Sequence, residues 1–533
     1  MQRLTRYHPV NAPTIEHTAL FGMSRAVLQV FSNYQAARTT FVQTMADLAN
    51  RPQNIEVLQA NGALALLRPL LIDTVPSIQQ SAALALGRLA NYSEALAEAV
   101  CASEVLPQLV HSIASQSRFY KKTAAFVLKA VAKHSPALAK TVVETPGSLD
   151  ALVGCLSEFE PSVKEAAAWA LGYIARHNAE LAQQVVDASA VPPLILCVQE
   201  PELTLKRIAA STLAEICKHS PELAQVVVDQ GAVAYLSALV QHPDSKLKRQ
   251  VCSCLAQIAK HSVDLAEVVV EADIFPKIFV CLKDPDVIVR RNAATCIREI
   301  AKQTPELAQL IVNAGGHAAL VDYISNSTGA ARLPGIMALG FIAAFSESLA
   351  FAIILHQGIL PLKDALFTET DDHIRAAAVW ALGQLGRHSP DHAKALAQAD
   401  VFRRLIEAYE DPNASADLKI KAQRALKSVL EKCTHLPALE PLLLTAPPKI
   451  LKYVVHQFAK VLPSNPAAQR SFVKSRGLQR IQQLRAEDKN SKLQEYIATI
   501  NSLYPPELVQ YYSPGYAEAL LSRMEEFEAQ KSQ

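Results

Sequence analysis

At 533 residues the chain exceeds what one hydrophobic core usually serves, so it holds either several domains or a repeat array whose core grows with length. Hydrophobic residues make up 50% of it, with only 17 Gly and 6% aromatics, the Ala, Leu and Val economy of packed helices. Its 52 Lys and Arg against 50 Asp and Glu leave a net charge of +2, too little to draw in nucleic acid globally, and no apolar run of about 18 residues could span a bilayer. The N-terminal stretch lacks the continuous apolar core of a secretory signal, and the nine Cys form no CxxC pair, which points to a reducing, cytoplasmic setting.

Along the chain one phrase recurs: HSPALAKTVV from His134, HNAELAQQVV from His177, HSPELAQVVV from His219, HSVDLAEVVV from His261, QTPELAQLIV from Gln303 and HSPDHAKALA from His388. From His134 to His177 is 43 residues and from His177 to His219 is 42, a period typical of helical repeats. Weaker copies stand at Asn50, Tyr92, Phe345 and Cys433. Before each phrase lies an amphipathic helix whose buried positions include Leu128 and Val131, Leu171 and Ile174, Leu213 and Ile216, spaced to form one apolar stripe. Gly87, Gly172, Gly340 and Gly383 interrupt that helix, where each costs about 1 kcal/mol relative to Ala, so close packing between repeats is the expected compensation. The phrase itself encodes a short helix, with Ser135, Ser220, Thr304 and Ser389 at the N-cap and Pro136, Pro221, Pro305 and Pro390 at the first helical position. Gly62, Gly231 and Gly315 end it, and a further apolar helix follows.

Each unit therefore reads as short helix, helix, helix, and no unit can cover its own apolar face alone. The expected fold is an all-α armadillo-repeat solenoid with three helices per repeat over residues 24–435, a plain two-helix HEAT array being the nearest alternative. Residues 436–520 lose the register and are expected to form a C-terminal helical cap, with 521–533 a tail whose closing EEFEAQKSQ is expected to fray.

One position carries a cation in consecutive repeats at the start of the third helix: Lys121, Lys164, Lys206, Lys248, Arg290, Arg332 and Arg375. Cations there oppose the helix dipole, so helix preference does not explain them. They form either a basic ladder for an acidic partner or partners for carboxylates of the adjacent repeat. The periodic histidines cannot converge on a metal, one imidazole being supplied per repeat, and Cys155, Cys197, Cys254, Cys281 and Cys296 follow the apolar pattern as core residues. Trp169 and Trp380 lie on the third helix, but the residues one turn on are Tyr173 and Gln384, not the Asn with which nuclear-import receptors clamp basic peptides. No phosphate-cradling Gly loop, HExxH or GxSxG is present, so no catalytic residue, cofactor or metal is expected. Near the end, Tyr511, Tyr512 and Tyr516 fall in a Pro-rich aromatic stretch that suits either a strut or a docking motif.

RAVLQVFSNYQAARTTFVQTMADLANRPQNIEVLQ from Arg25, SIQQSAALALGRLANY from Ser77, RFYKKTAAFVLKAV from Arg118, VKEAAAWALGYIARHNAEL from Val163 and YYSPGYAEALL from Tyr511 resemble the armadillo-repeat proteins of the ciliary central-pair apparatus. The resemblance runs from about Ser24 to Leu520. It implies a non-enzymatic scaffold of the cilium or flagellum axoneme, within the cytoskeleton of the cytoplasm. It also implies binding to a central-pair microtubule (tubulin), contacts with other central-apparatus proteins, self-association and a need for the protein in flagellar motility, with no nucleic-acid or membrane partner. Family members begin near the match to Met23, which sets residues 1–23 apart as an N-terminal extension. A soluble adaptor holding a peptide in its groove is the alternative function.

Overall fold

The computed structural model describes residues 14–111, 113–487 and 491–531, so the first part of the expected N-terminal extension, 1–13, and the last two residues of the tail lie outside the described residues. Among the described residues there are helices and turns and no strand. They form two compact units divided after Gln230.

The repeat is built as its residues dictate. Ser135 sits in extended backbone (φ −146°, ψ 160°) and its hydroxyl accepts the N–H of Leu138, satisfying one of the orphan donors at the start of the short helix Pro136–Glu144. Asn178, Ser220, Ser262, Thr304 and Ser346 do the same for Leu181, Leu223, Leu265, Leu307 and Leu349. Ser389 departs from the pattern: it stands at the N-cap, but its hydroxyl is 2.8 Å from His392 Nδ1 and makes no cap bond.

Each short helix passes into the second through one residue of positive φ. Glycine fills it at Gly147 (76°), Gly231 (77°) and Gly315 (79°), whereas Ser189 (61°), Asp273 (54°), Gln357 (59°) and Asp400 (59°) hold the same place at a cost of about 1–2 kcal/mol each. Three helices per unit result, for example Pro136–Glu144, Ser148–Leu156 and Pro161–Ala175, which is the armadillo arrangement and not the two-helix alternative.

In the first unit the third helices pack in chain order, Pro76–Tyr92 on Arg118–Ala132, then Pro161–Ala175, then Leu203–Cys217. In the second, Ser245–Ala259, Val287–Ala301, Leu333–Phe345, Asp372–Gly386 and Ala416–Leu430 follow the same order. The expected stripe is the core: Leu86, Leu128, Leu171 and Leu213 are completely buried, as are the small residues Ala124, Ala125, Ala167 and Ala168 that let the helices approach. Gly383 shows why. A Cβ there would lie 2.9 Å from Ala425 Cβ and 3.2 Å from its Cα on the next third helix.

The ends extend the pattern further than the sequence suggested. The helix Thr14–Leu48 packs on Pro76–Tyr92 in the manner of a preceding third helix and crosses the boundary expected at residue 23. In the C-terminal region Asn465 caps Pro466–Lys474 by accepting the N–H of Ala468, and Arg476 (φ 64°) takes the positive-φ position before Gly477–Glu487. A worn repeat thus survives where the register is lost to the eye. The last helix, Tyr516–Lys531, continues into the segment expected to be frayed.

Two glycine substitutions of opposite sign test this packing. Gly383→Ala should lower stability by about 1–3 kcal/mol, because overpacking against Ala425 outweighs the gain in helix propensity. Gly154→Ala, also in a helix but with no atom within 4 Å of the added methyl, should raise stability by about 0.5–1 kcal/mol in thermal or urea denaturation.

Candidate functional site

The cation ladder faces inward. Lys121 Nζ lies 2.6 Å from Glu158 Oε1 and Lys164 Nζ lies 2.5 Å from Glu200 Oε1, each lysine side chain only 13% exposed. Lys248 pairs with Asp284, Arg332 with Glu369 at 3.4 Å and Arg375 with Asp411 at 3.3 Å. Arg290 donates instead to the backbone carbonyls of Asp284 (2.7 Å) and Pro285 (3.2 Å), and Lys206 is half-buried. In each pair the carboxylate sits in or just before the loop that leads into the next third helix, so the charge that opposes one helix dipole is neutralised by the following repeat.

A signal for these pairs was present in the sequence. An acid stands 36 or 37 residues after the cation in Lys121–Glu158, Lys164–Glu200, Lys248–Asp284, Arg332–Glu369 and Arg375–Asp411. The residue 36 positions after Lys206 is His242, and after Arg290 it is Asn326. A similar tie stands two repeats before Lys121, where Arg38 Nη1 lies 2.6 Å from the buried Asp73.

The periodic histidines make a second tie. The last carbonyls of a helix lack an intrahelical donor, and Nε2 of His134 donates to Ala90 O at 2.8 Å, His177 to Ala132 O at 2.7 Å, His219 to Ala175 O at 2.7 Å and His388 to Ala343 O at 2.6 Å. Every acceptor is in the final turns of the preceding third helix. Gln303 replaces histidine with the same bond, Nε2 to Ala259 O at 2.9 Å. The imidazoles therefore serve as side-chain caps between repeats.

No group of three or more His, Cys, Asp or Glu suited to a metal occurs among the described residues. The cysteines of the apolar pattern are buried, and burial pushes the Cys155 and Cys197 thiols up to about 11, which keeps them protonated and poor nucleophiles at neutral pH. Among the described residues no single helix is long and apolar enough to cross a membrane.

Trp169 is exposed and Trp380 half-buried on their third helices, and neither has the Asn partner of an import receptor. Trp169 stacks on Tyr173 with ring centroids 5.6 Å apart, and Lys129 Nζ stands 5.4 Å from the Trp169 ring centre, 5.8 Å from Tyr173 and 5.6 Å from Phe126. Phe126, Lys129 and Trp169 border a groove of about 340 Å³ that also takes in Leu84, Arg88, Lys122 and Glu165. Burial lowers the Lys129 ammonium below its ordinary value, and burial together with Lys129 does the same to Lys133. In the second unit Trp380 meets Phe341 edge to face at 5.1 Å, beside a groove of about 310 Å³ lined by Arg387, Lys421 and Arg424.

The C-terminal tyrosines divide between two roles. Tyr504 acts as a strut, its hydroxyl donating to Gln469 O at 3.1 Å. Tyr511 is 62% exposed and packs edge-on against Tyr512 (5.0 Å) and Tyr516 (6.0 Å), an aromatic cluster at the surface.

Short capped helix, second helix and long third helix, tied unit to unit through third-helix packing, histidine caps and ion pairs, define an armadillo-repeat scaffold. The chain is 62% identical over 504 residues to the mouse protein named Sperm-associated antigen 6, covering 95% of this chain and 99% of the relative. It is 61% identical to the human protein of the same name over the same shares. The chain belongs to the sperm-associated antigen 6 family. Residues 148–445 match the family model described as Proteasome non-ATPase 26S subunit, a stretch of repeat units throughout. Among solved structures, an engineered protein shares the fold with TM-score 0.67 at 23% identity, covering 84% of this chain and 98% of that one. A designed armadillo repeat protein in complex with the peptide (KR)4 is 24% identical over 44% of this chain and 98% of its own, with TM-score 0.43.

The histidine caps predict a pH dependence. Burial holds His388 below its ordinary value of 6.5, with Arg387 and His392 acting the same way, although its bond to Ala343 O and the nearby Glu347 favour the charged form. A depressed folded value means that this contribution is complete above pH 6.5 and is lost as pH falls below it. His388→Gln keeps a donor for the carbonyl, as Gln303 does for Ala259, and removes the titration. Its melting temperature should therefore fall less between about pH 7.5 and about pH 5.5 than that of the wild-type chain.

Proposed function

We propose that this chain is a non-enzymatic structural component of the ciliary or flagellar axoneme, working in the central apparatus on a central-pair microtubule and required for flagellar beating. The observation that carries the reading is full-length similarity at 62% identity to relatives whose name associates them with sperm, cells that swim by a flagellum. The architecture suits the task. Load applied along a repeat array passes through every junction in turn, so each junction must resist opening. The junctions that follow Arg118–Ala132, Pro161–Ala175, Ser245–Ala259 and Leu333–Phe345 combine apolar third-helix packing with an ion pair and a side-chain cap.

In this reading the cations Lys121, Lys164, Lys248, Arg332 and Arg375 serve the array as internal ties. The aromatic cluster of Tyr511, Tyr512 and Tyr516, of which Tyr511 is exposed and the other two are half-buried, is the docking point for a neighbouring copy or another central-apparatus protein, since tyrosines supply large contact area with little loss of side-chain freedom.

Quantitative mass spectrometry of detergent-extracted axonemes against the soluble fraction, from cells with and without a central pair, tests the proposal. Retention in axonemes that disappears with the central pair is the expected result. A predominantly soluble pool, indifferent to the central pair, would contradict the scaffold and leave a soluble adaptor.

A further inference from the structure

Among the described residues, the junction between Val287–Ala301 and Leu333–Phe345 carries neither of the two polar ties. At the cap position Phe345 stands where Gln303 and His388 stand in the adjacent repeats, and a phenyl ring has no donor for the carbonyls that end Val287–Ala301. At the other end of that helix Arg290 donates through Nη1 alone, to two backbone carbonyls, and meets no carboxylate. The reason lies in residues 325–328. In the loops leading into the other third helices the same four positions read SEFE (157–160), QEPE (199–202), QHPD (241–244), KDPD (283–286) and TETD (368–371), each with at least one acid. Here they read SNST, with no acid and three side chains that carry a polar hydroxyl or amide within reach of modification chemistry only at the serines and the threonine.

Ser327 is 6% exposed, and its Oγ, beside the Tyr323 hydroxyl, has no well-aligned hydrogen bond; the Tyr323 proton goes to the Ala331 carbonyl. Ser327 borders a pocket of about 360 Å³ together with Lys283, Arg290 and Asn326. Asp322 is the one carboxylate among the lining residues, and it already pairs with Lys283 at 3.2 Å. A buried hydroxyl without a partner and a half-buried guanidinium without an anion are both unfavourable, and one added anion relieves both.

We propose that Ser327 is a phosphorylation site, and that its phosphoryl group enters this pocket, pairs with Arg290 and Lys283 and supplies the tie that the other loops obtain from a carboxylate. The transfer is that of a protein kinase using ATP: Ser327 Oγ bonds to the γ-phosphorus as the bond from that phosphorus to the β,γ-bridging oxygen breaks, ADP leaves, and the hydroxyl proton passes to the kinase's base. Phosphoserine carries about −1.5 to −2 charges at neutral pH and presents three acceptor oxygens, which suits a guanidinium fork. The neighbouring hydroxyls fit less well, since Ser325 donates to the Val321 carbonyl at 2.8 Å and Thr328 is not among the pocket's lining residues. Access for the kinase comes from the loop itself. Ser325, Asn326 and Thr328 are exposed, and neither Ser327 nor Thr328 makes a backbone–backbone hydrogen bond among the described residues, so lifting the loop breaks few contacts.

Two measurements on the full-length protein test the site, and neither depends on the axonemal assignment. Protein isolated from its native cells with phosphatase inhibitors is digested with trypsin, and the peptide 303–332 is sequenced by tandem mass spectrometry. Phosphate on Ser327 is the expected result; phosphate confined to Ser325 or Thr328, or none, would overturn the proposal. Recombinant protein with phosphoserine placed at 327 by stop-codon suppression is then compared with the unmodified chain by amide hydrogen exchange. Exchange in Val287–Ala301 and Leu333–Phe345 should slow by about three- to tenfold, with Pro161–Ala175 unchanged. Arg290→Gln should abolish the slowing. Circular dichroism melts show whether that variant folds; if it does not, Lys283→Gln, at an exposed side chain, takes its place, and partial loss of the slowing is expected. Inorganic phosphate added to the unmodified chain should not reproduce the effect. Equal protection by free phosphate, slowing undiminished by these substitutions, or no slowing at all would each overturn the proposal.

Discussion

The structure depends on one constraint: a three-helix unit of this sequence cannot cover the apolar side of its own third helix. Only the third helix of the next unit can do so, and close approach of the two requires small residues where they meet. Ala124, Ala125, Ala167 and Ala168 are fully buried for this reason, and Gly383 lies where any side chain would strike Ala425. Glycine within a helix is unfavourable by about 1 kcal/mol in isolation; it persists here because the alternative is separation of two repeats along their whole contact.

Packing of that kind leaves polar problems at the edges, and the remaining features of the repeat answer them. The third helix ends with carbonyls that lack donors, and His134, His177, His219 and His388, or Gln303, supply them from the next repeat. Five third helices begin with a cation whose charge the helix dipole disfavours and that a carboxylate 36 or 37 residues on neutralises. One junction is thereby closed by an apolar centre and polar contacts at both ends of the same helix. A scaffold that carries load needs this redundancy more than it needs strength in any one bond, because each exposed or half-exposed pair contributes little alone.

Much of this was legible in the sequence because repetition turns a single ambiguous residue into a column. The N-caps, the first-turn prolines and the buried leucines could be read from their recurrence. What the column did not show is direction. A cation repeated at seven consecutive third-helix starts looks the same whether it points to solvent or, as Lys164 does, to Glu200, and only the spacing to an acid in the following repeat separates the two. The bond from His388 to the Ala343 carbonyl is invisible for another reason, since backbone acceptors leave no mark in the amino-acid pattern. At the ends, where Arg38 pairs with Asp73 and Arg476 adopts the positive-φ position, the structural repeat outlasts its sequence signature because backbone geometry tolerates residues that the consensus excludes. The groove beside Trp169 was visible only as the absence of an Asn clamp.

The central claim is that each junction is held by ties local to it, so that loosening one loosens its two repeats and not the array. Amide hydrogen exchange on Glu200→Gln, which keeps the shape of the side chain and removes the charge facing Lys164, tests this most directly. The account predicts faster exchange in the flanking third helices Pro161–Ala175 and Leu203–Cys217, with Pro76–Tyr92 unchanged. Uniform loss of protection across the first unit, or no change at the junction, would contradict it.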